Sequence, residues 1–139
     1  MSPAFRREKT LEVLNDRAMA LLQRVGLTQF ARLTAGELAY GRKRTLEIAT
    51  TLAMDPELML LDEPTAGMGH EDVDRVKDLI KEVAAGRTVL MVEHNMSVVS
   101  GICDTITVLQ RGSVLAEGTY AEVSANPQVM EAYMGTAHG

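Results

Sequence analysis

The sequence predicts an α/β fold built on parallel strands, with an antiparallel hairpin near the C-terminus. Three observations carry this. Leu58-Met-Leu-Leu61 is a short, wholly apolar run that ends in Asp62-Glu63-Pro64. A second apolar run, Thr88–Val92, rich in β-branched residues, follows it after an amphipathic helical segment. A strand-helix-strand order of this kind implies parallel pairing. Further on, two alternating segments flank Arg111-Gly112, the signature of a hairpin.

The elements follow in order. Glu8 to Val25 places Leu11, Leu14, Ala18, Leu21, Leu22 and Val25 at helical spacing, and Gly26 stops the helix. A polar connection with Thr34 and Gly36 leads to a second helical pattern from Gly41 to Met54, broken by Asp55-Pro56. Leu58 to Leu61 is too apolar for a half-exposed strand and predicts a parallel strand covered on both faces. Gly67 and Gly69 mark a loop. Glu71 to Ala85 lines up Val73, Val76, Ile80 and Val83 on one helical face, and Gly86 ends it. After the Thr88–Val92 strand come a short helix from Met96 to about Ile102, a strand over Asp104–Leu109 and a return strand over Ser113–Glu117. Two short helical pieces, 120–124 and 128–134, close the chain.

At 139 residues with 46% hydrophobic content, the chain has the material for one domain or part of one. A net charge of −5 and a pI near 5.2 argue against nucleic acid as a partner. Arg42-Lys43-Arg44, the one dense basic cluster, reads as a solvated helix face. No apolar run approaches membrane-spanning length, and the N-terminal residues show no apolar signal-peptide core. Cys103 is the single cysteine, which rules out an intrachain disulfide, fits a reducing compartment and reads as a small buried hydrophobe.

The polar residues at the strand ends carry the chemistry. Asp62, at the tip of a buried strand, suits magnesium, which prefers oxygen ligands and keeps several waters. Glu63 beside it is placed for general-base work on a water that attacks a phosphate. His94 follows the second strand, and the intervening strand-helix unit would bring both tips to one edge of the sheet. Leu38-Ala39-Tyr40-Gly41-Arg42 leads into a helix whose free N–H groups and dipole favour a phosphate. A phosphate loop of the form GxxxxGK[ST] does not occur anywhere in the 139 residues.

Together these residues resemble the ATP-binding subunits of ABC transporters, in the family's own motif order. Leu38–Gly41 resembles the signature loop, Leu58–Asp62 the Walker B strand and Glu63 the catalytic glutamate. Ala66-Gly67-Met68-Gly69 lies where the D-loop belongs, and His94 matches the switch histidine. Within the family, "LAYGRKRTLEIATTLAMDPELMLLDEPTAGM", "VLMVEHNMSVV" and the tail "GSVLAEGTYAEVSANPQVMEAYMG" are most similar to the cytosolic subunits of branched-chain amino acid and urea importers. Three positions depart from the general pattern: Ala39 replaces the signature serine, Arg42 stands where glutamine is usual, and Gly69 stands where the D-loop carries Asp or Asn.

The resemblance covers nearly the whole chain but only the C-terminal half or so of a complete subunit. It implies a partial P-loop NTPase domain. Residues 1–54 would supply a helical-subdomain helix, the signature loop and the signature helix, and 55–139 the rest of the α/β core from Walker B onward. It implies ATP and Mg2+ as ligands, both only with a phosphate-loop-bearing partner, and permease subunits as membrane partners. Leu38, Ala39, Tyr40, Gly41 and Arg42 would face the nucleotide, Asp62 the metal, and Glu63 and His94 would be catalytic. A non-catalytic interaction or regulatory module is the competing reading. A DNA-repair ATPase of the same superfamily is disfavoured, because one ordinary helix rather than long heptad-patterned helices precedes the signature loop. In the fold it resembles, the phosphate-loop strand separates the His94 strand from the strand at Thr105–Leu109. The chain is therefore expected to leave a gap there, with unpaired edges that invite self-association.

Overall fold

A computed structural model describes residues 3–134 of the protein. Met1, Ser2 and residues 135–139, including the Gly135 that ends the tail stretch, lie outside the described residues.

The chain opens with a long helix, α1 (Pro3–Arg24), followed by two short 3-10 turns. Helix α2 (Tyr40–Leu52) leads into strand β1 (Leu58–Asp62), helix α3 (His70–Ala84) and strand β2 (Thr88–Val92). Helix α4 (Met96–Ile102) then precedes strands β3 (Ile106–Gln110) and β4 (Ser113–Gly118). Two short helices, α5 (Tyr120–Ser124) and α6 (Pro127–Val129), and a terminal turn at Met130–Met134 complete the described chain.

β1 and β2 pair in parallel, with Leu60 opposite Leu90 and Asp62 opposite Val92. Because side chains alternate along a strand, one face of this pair presents Met59, Leu61, Val89 and Met91. These pack on Ile48 and Leu52 of α2 and on Val76, Leu79, Ile80 and Val83 of α3, which form the main core. The helical pattern read over residues 71–85 is the reason α3 fits here: its buried positions recur every three or four residues.

The opposite face corrects the expectation of a strand covered on both sides. Leu58, Leu60, Leu90 and Val92 are all more than half exposed, with Leu60 at 67%. The apolar run was composed for two covered faces, and this chain supplies a cover for one. Helix α1 behaves alike. It begins earlier than the pattern predicted and buries none of its own residues fully. Leu21 and, just past its end, Val25 pack against the core, while Leu11, Val13 and Leu14 stand in solvent.

β3 and β4 form a separate antiparallel hairpin. Arg111 and Gly112 both take positive φ, as a two-residue mirror-image turn requires. Val108, Val123 and Val129 make a second small core beneath the hairpin. Among the described residues β3 does not pair with β2, so the chain holds two two-stranded sheets and no continuous one.

Candidate functional site

The C-terminal ends of β1 and β2 meet at one edge. Glu63 N–H donates to the Val92 carbonyl at 2.8 Å, which carries the parallel ladder one residue past β1. Glu63 then turns the chain sharply, with φ of 44° in the left-handed region that side chains other than glycine rarely adopt. Arg44 of α2 holds the turn from below. Its guanidinium donates to the carbonyls of Asp62 at 3.3 Å and Glu63 at 3.1 Å, and pairs with Glu47 at 2.9 Å. Arg44 is thus not part of a solvated basic face. Arg42 remains on the surface, stacked over the Phe30 ring at 4.2 Å.

A second tie joins the two strand-end loops. Thr65 is buried, and its N–H and hydroxyl both donate to Glu93 Oε1, at 3.2 and 2.5 Å. The other oxygen of Glu93 accepts the backbone N–H groups of His94 and Asn95, at 3.1 and 3.2 Å. One carboxylate therefore takes four donors, two from each loop. Asn95 in turn caps α4 by accepting from Ser97 N–H at 3.1 Å.

This framework brings His94 Nδ1 within 3.4 Å of Glu63 Oε1. Both side chains are substantially exposed, at 67% and 48%, so the contact contributes little to stability and leaves both groups open to an incoming ligand. Asp62 is likewise exposed at the tip of β1.

The Leu38–Arg42 segment reaches the same region through two contacts. Tyr40 lies against the loop at Gly67, where a Cβ would stand 3.4 Å from the ring. Gly41 is buried against α3, and a Cβ there would come within 2.7 Å of the Asp72 carboxylate. A side chain at this position would require the half-exposed Asp72 carboxylate to swing aside. Leu38 is buried, Ala39 and Tyr40 are exposed, and no side chain caps the first N–H groups of α2. The structure thus brings His94 and Glu63 into contact, with Asp62 the preceding residue at the tip of β1, and sets Tyr40 beside the loop at Gly67 and Gly41 against Asp72 of α3. No contact is found between Leu38, Ala39 or Arg42 and the carboxylates.

Sequence reasoning missed Arg44, Thr65 and Glu93. Glu93 had a signal: a carboxylate at the end of an apolar strand, beside a histidine, that burial would force to find donors. Cys103 is half-buried rather than fully so, and its thiol is pushed up in pKa, first by burial and then by Asp104 and Glu93.

The donors present fit a metal-nucleotide site only in part. Asp62 offers the single carboxylate that a magnesium ion shared with phosphates can use. Among the described residues no three His, Cys, Asp or Glu side chains gather into a cage of their own. Nor does the chain contain a glycine-rich cradle for the phosphates.

Comparison with known proteins bears on the family. The ABC transporter family profile matches residues 3–66, and that of the branched-chain amino acid ATP-binding cassette transporter matches residues 113–139. The high-affinity branched-chain amino acid transport ATP-binding protein LivG of Escherichia coli K12 is 42% identical over 138 residues, which cover 98% of this chain. The chain belongs to the ABC transporter ATP-binding family. BraF of Pseudomonas aeruginosa, of the same description, is 41% identical over an equal stretch. The chain spans about half the length of these curated relatives, 53% in each case. Family structures agree with the fold. The ADP conformation of MJ1267, an ATP-binding cassette of an ABC transporter, superposes with a TM-score of 0.76 at 29% identity, covering 86% of this chain and 49% of that one. The cbiO1 protein of Clostridium perfringens, part of the cbiONQ transporter complex, gives 0.75 at 29% identity, covering 87% and 49%. No helix among the described residues is long and apolar enough to cross a membrane.

Proposed function

We propose that this chain is the C-terminal portion of the cytosolic ATP-binding subunit of an ABC importer of the branched-chain amino acid or urea type. In this reading residues 1–139 are one partial ABC ATPase domain, divided near residue 54 between the helical subdomain and the α/β core. It sits at the inner face of the cell membrane against permease subunits. The observation that carries the reading is the meeting of Asp62, Glu63 and His94 at one sheet edge, held there by Arg44 and Glu93. The 41–44% identity to LivG and BraF supports the importer class.

Each residue then has a role. Asp62 would hold a magnesium ion, which would supply neutralisation of phosphate charge. Glu63 accepts a hydrogen bond from the attacking water and orients it. His94 donates to the γ-phosphate, and its contact with Glu63 keeps both on the same side of the sheet. Leu38 to Arg42 offer the N–H groups at the start of α2 to the phosphates of a nucleotide held by the partner. In this reading ATP and Mg2+ bind only once a phosphate-loop-bearing partner is present, because no GxxxxGK[ST] loop occurs in these residues.

The test is reconstitution. The N-terminal half of E. coli LivG, which this reading leaves without a counterpart in the chain, is co-purified with it and phosphate release is measured with Mg2+ and ATP. Hydrolysis that Glu63→Gln and His94→Ala each reduce by about 10²–10⁴-fold is expected. A stable complex that hydrolyses ATP at unchanged rates in both variants would show that the site is misassigned. A stable complex with no hydrolysis would favour the non-catalytic module.

A further inference from the structure

A cleft of about 540 Å³ lies where the end of α1 and the start of α2 meet α3. Its walls differ in charge. Arg24, the last residue of α1, and Arg42, in the first turn of α2, line one side. On the other side α3 contributes Asp72, Asp78 and Glu82, with a single cation, Arg75. Val25, Leu27 and Leu79 supply apolar lining, and Leu27 and Leu79 are buried.

Most of these charges are already matched. Arg24 pairs with Glu82 at 3.1 Å, a bridge that ties α1 to α3. Arg75 pairs with Glu71 at 2.7 Å and stands 3.8 Å from Asp72, all within α3. Two charges remain. The Arg42 guanidinium lies over the Phe30 ring at 4.2 Å, and among the described residues no carboxylate pairs with it. Asp78 has no cationic partner among the described residues. The Asp72 carboxylate, held only by its 3.8 Å contact, lies against Gly41, the residue before Arg42.

A cleft of this volume is in the range that small molecules occupy. Its chemistry narrows the ligand. A purely apolar molecule would cover Arg42 and Asp78 and leave both charges without partners. A phosphate-like anion would satisfy Arg42 but face the carboxylates of α3. A dipolar molecule with a hydrocarbon body meets all three parts of the lining. A guanidinium grips a carboxylate through two parallel N–H groups. We infer that this cleft binds a free α-amino acid with an aliphatic side chain. Its carboxylate pairs with the Arg42 side chain, its ammonium donates to Asp78 and Asp72, and its hydrocarbon lies on Val25, Leu27 and Leu79. Occupancy braces α1 and α2 against α3, alongside the Arg24–Glu82 tie. The inference stands apart from the function proposed above, which uses only the backbone N–H of Arg42, and it involves no nucleotide, metal or partner chain.

Equilibrium dialysis of the whole chain against radiolabelled L-leucine, without nucleotide or metal, tests this. Saturable binding of one leucine per chain is expected. Unlabelled 4-methylpentanoate lacks the ammonium and leucinamide lacks the carboxylate. Each should compete about 10-fold or more weakly than leucine, the loss expected for one charge-assisted contact. Glycine, which lacks the hydrocarbon, should also compete poorly. Arg42→Gln and Asp78→Asn should each weaken binding by about 10-fold or more. Both residues are exposed, and circular dichroism checks that the variants keep the fold. The analogue series uses the unaltered chain, so it decides the matter whatever the variants do to folding. No saturable binding at millimolar leucine would overturn the inference. So would 4-methylpentanoate competing as well as leucine, which would mark a merely apolar cleft. Undiminished binding in both folded variants would overturn it too, by placing the site elsewhere.

Discussion

The Glu93 carboxylate holds Thr65 through both its N–H and its hydroxyl, at 3.2 and 2.5 Å, and so fastens the loop after β2 to the loop after β1. Glu63 and His94 are contributed by those two loops, and their 3.4 Å approach depends on that fastening.

Removing Glu93 should therefore cost more than its partial exposure implies. In Glu93→Ala the buried Thr65 donors and the His94 and Asn95 N–H groups lose their acceptor, and urea unfolding should show a loss of about 1–3 kcal/mol. Thr65→Val should cost less, and the double variant should show coupling of at least about 0.5 kcal/mol. Additive losses would mean that the carboxylate and the threonine act independently.

Glu63 is held at positive φ, so its side chain comes with backbone strain. Glu63→Gly should be neutral or stabilising by up to about 1 kcal/mol, because relief of left-handed strain exceeds the added freedom of the unfolded chain. Glu63→Val should be destabilising by about 1–3 kcal/mol. Thermal unfolding of the two variants checks the opposite signs; the same sign in both would remove the case for strain.

A Cβ at Gly41 would meet the Asp72 carboxylate at 2.7 Å and push it aside. That carboxylate can swing into solvent, and alanine favours the helix, so Gly41→Ala should cost no more than about 1 kcal/mol. Asp72→Ala introduced with it should recover most of the loss, since the clash is with that side chain. An equal loss in single and double variants would place the strain elsewhere.

These residues mark the limits of what the sequence disclosed. The strands, α3, the hairpin turn and the placement of Asp62, Glu63 and His94 could be read because each depends on local patterning: an apolar run, a helical period, a pair of turn residues. Arg44 and Glu93 could not be read with equal ease, since each works through partners 18 to 28 positions away that only the folded chain brings near. The same limit explains the error over the faces of β1. The composition of Leu58–Leu61 records the burial a strand is adapted to, and it cannot show whether the covering element is present in the chain.

That open face should govern solution behaviour. Leu58, Leu60, Leu90 and Val92 form a contiguous exposed apolar surface beside unpaired strand edges, a combination that favours association. Sedimentation velocity should show mass rising with concentration. Leu60→Lys with Leu90→Glu should shift the chain toward monomer with little change in unfolding free energy, because both side chains are already exposed and the two new charges, directly opposite, are of opposite sign. A concentration-independent monomer with a sharp, high melting transition would contradict this.

In the function proposed above, Asp62, Glu63 and His94 are the polar edge of an ATPase site whose phosphate loop lies outside these 139 residues. Phosphate release by the purified chain alone, with Mg2+ and ATP, tests it most directly, with the Glu63→Gln variant run alongside. Phosphoryl transfer depends on positioning and charge neutralisation, which the absent phosphate loop supplies. The expected result is no release above background, and any residual turnover should persist unchanged in Glu63→Gln. Turnover by the chain alone that Glu63→Gln abolishes would contradict the account.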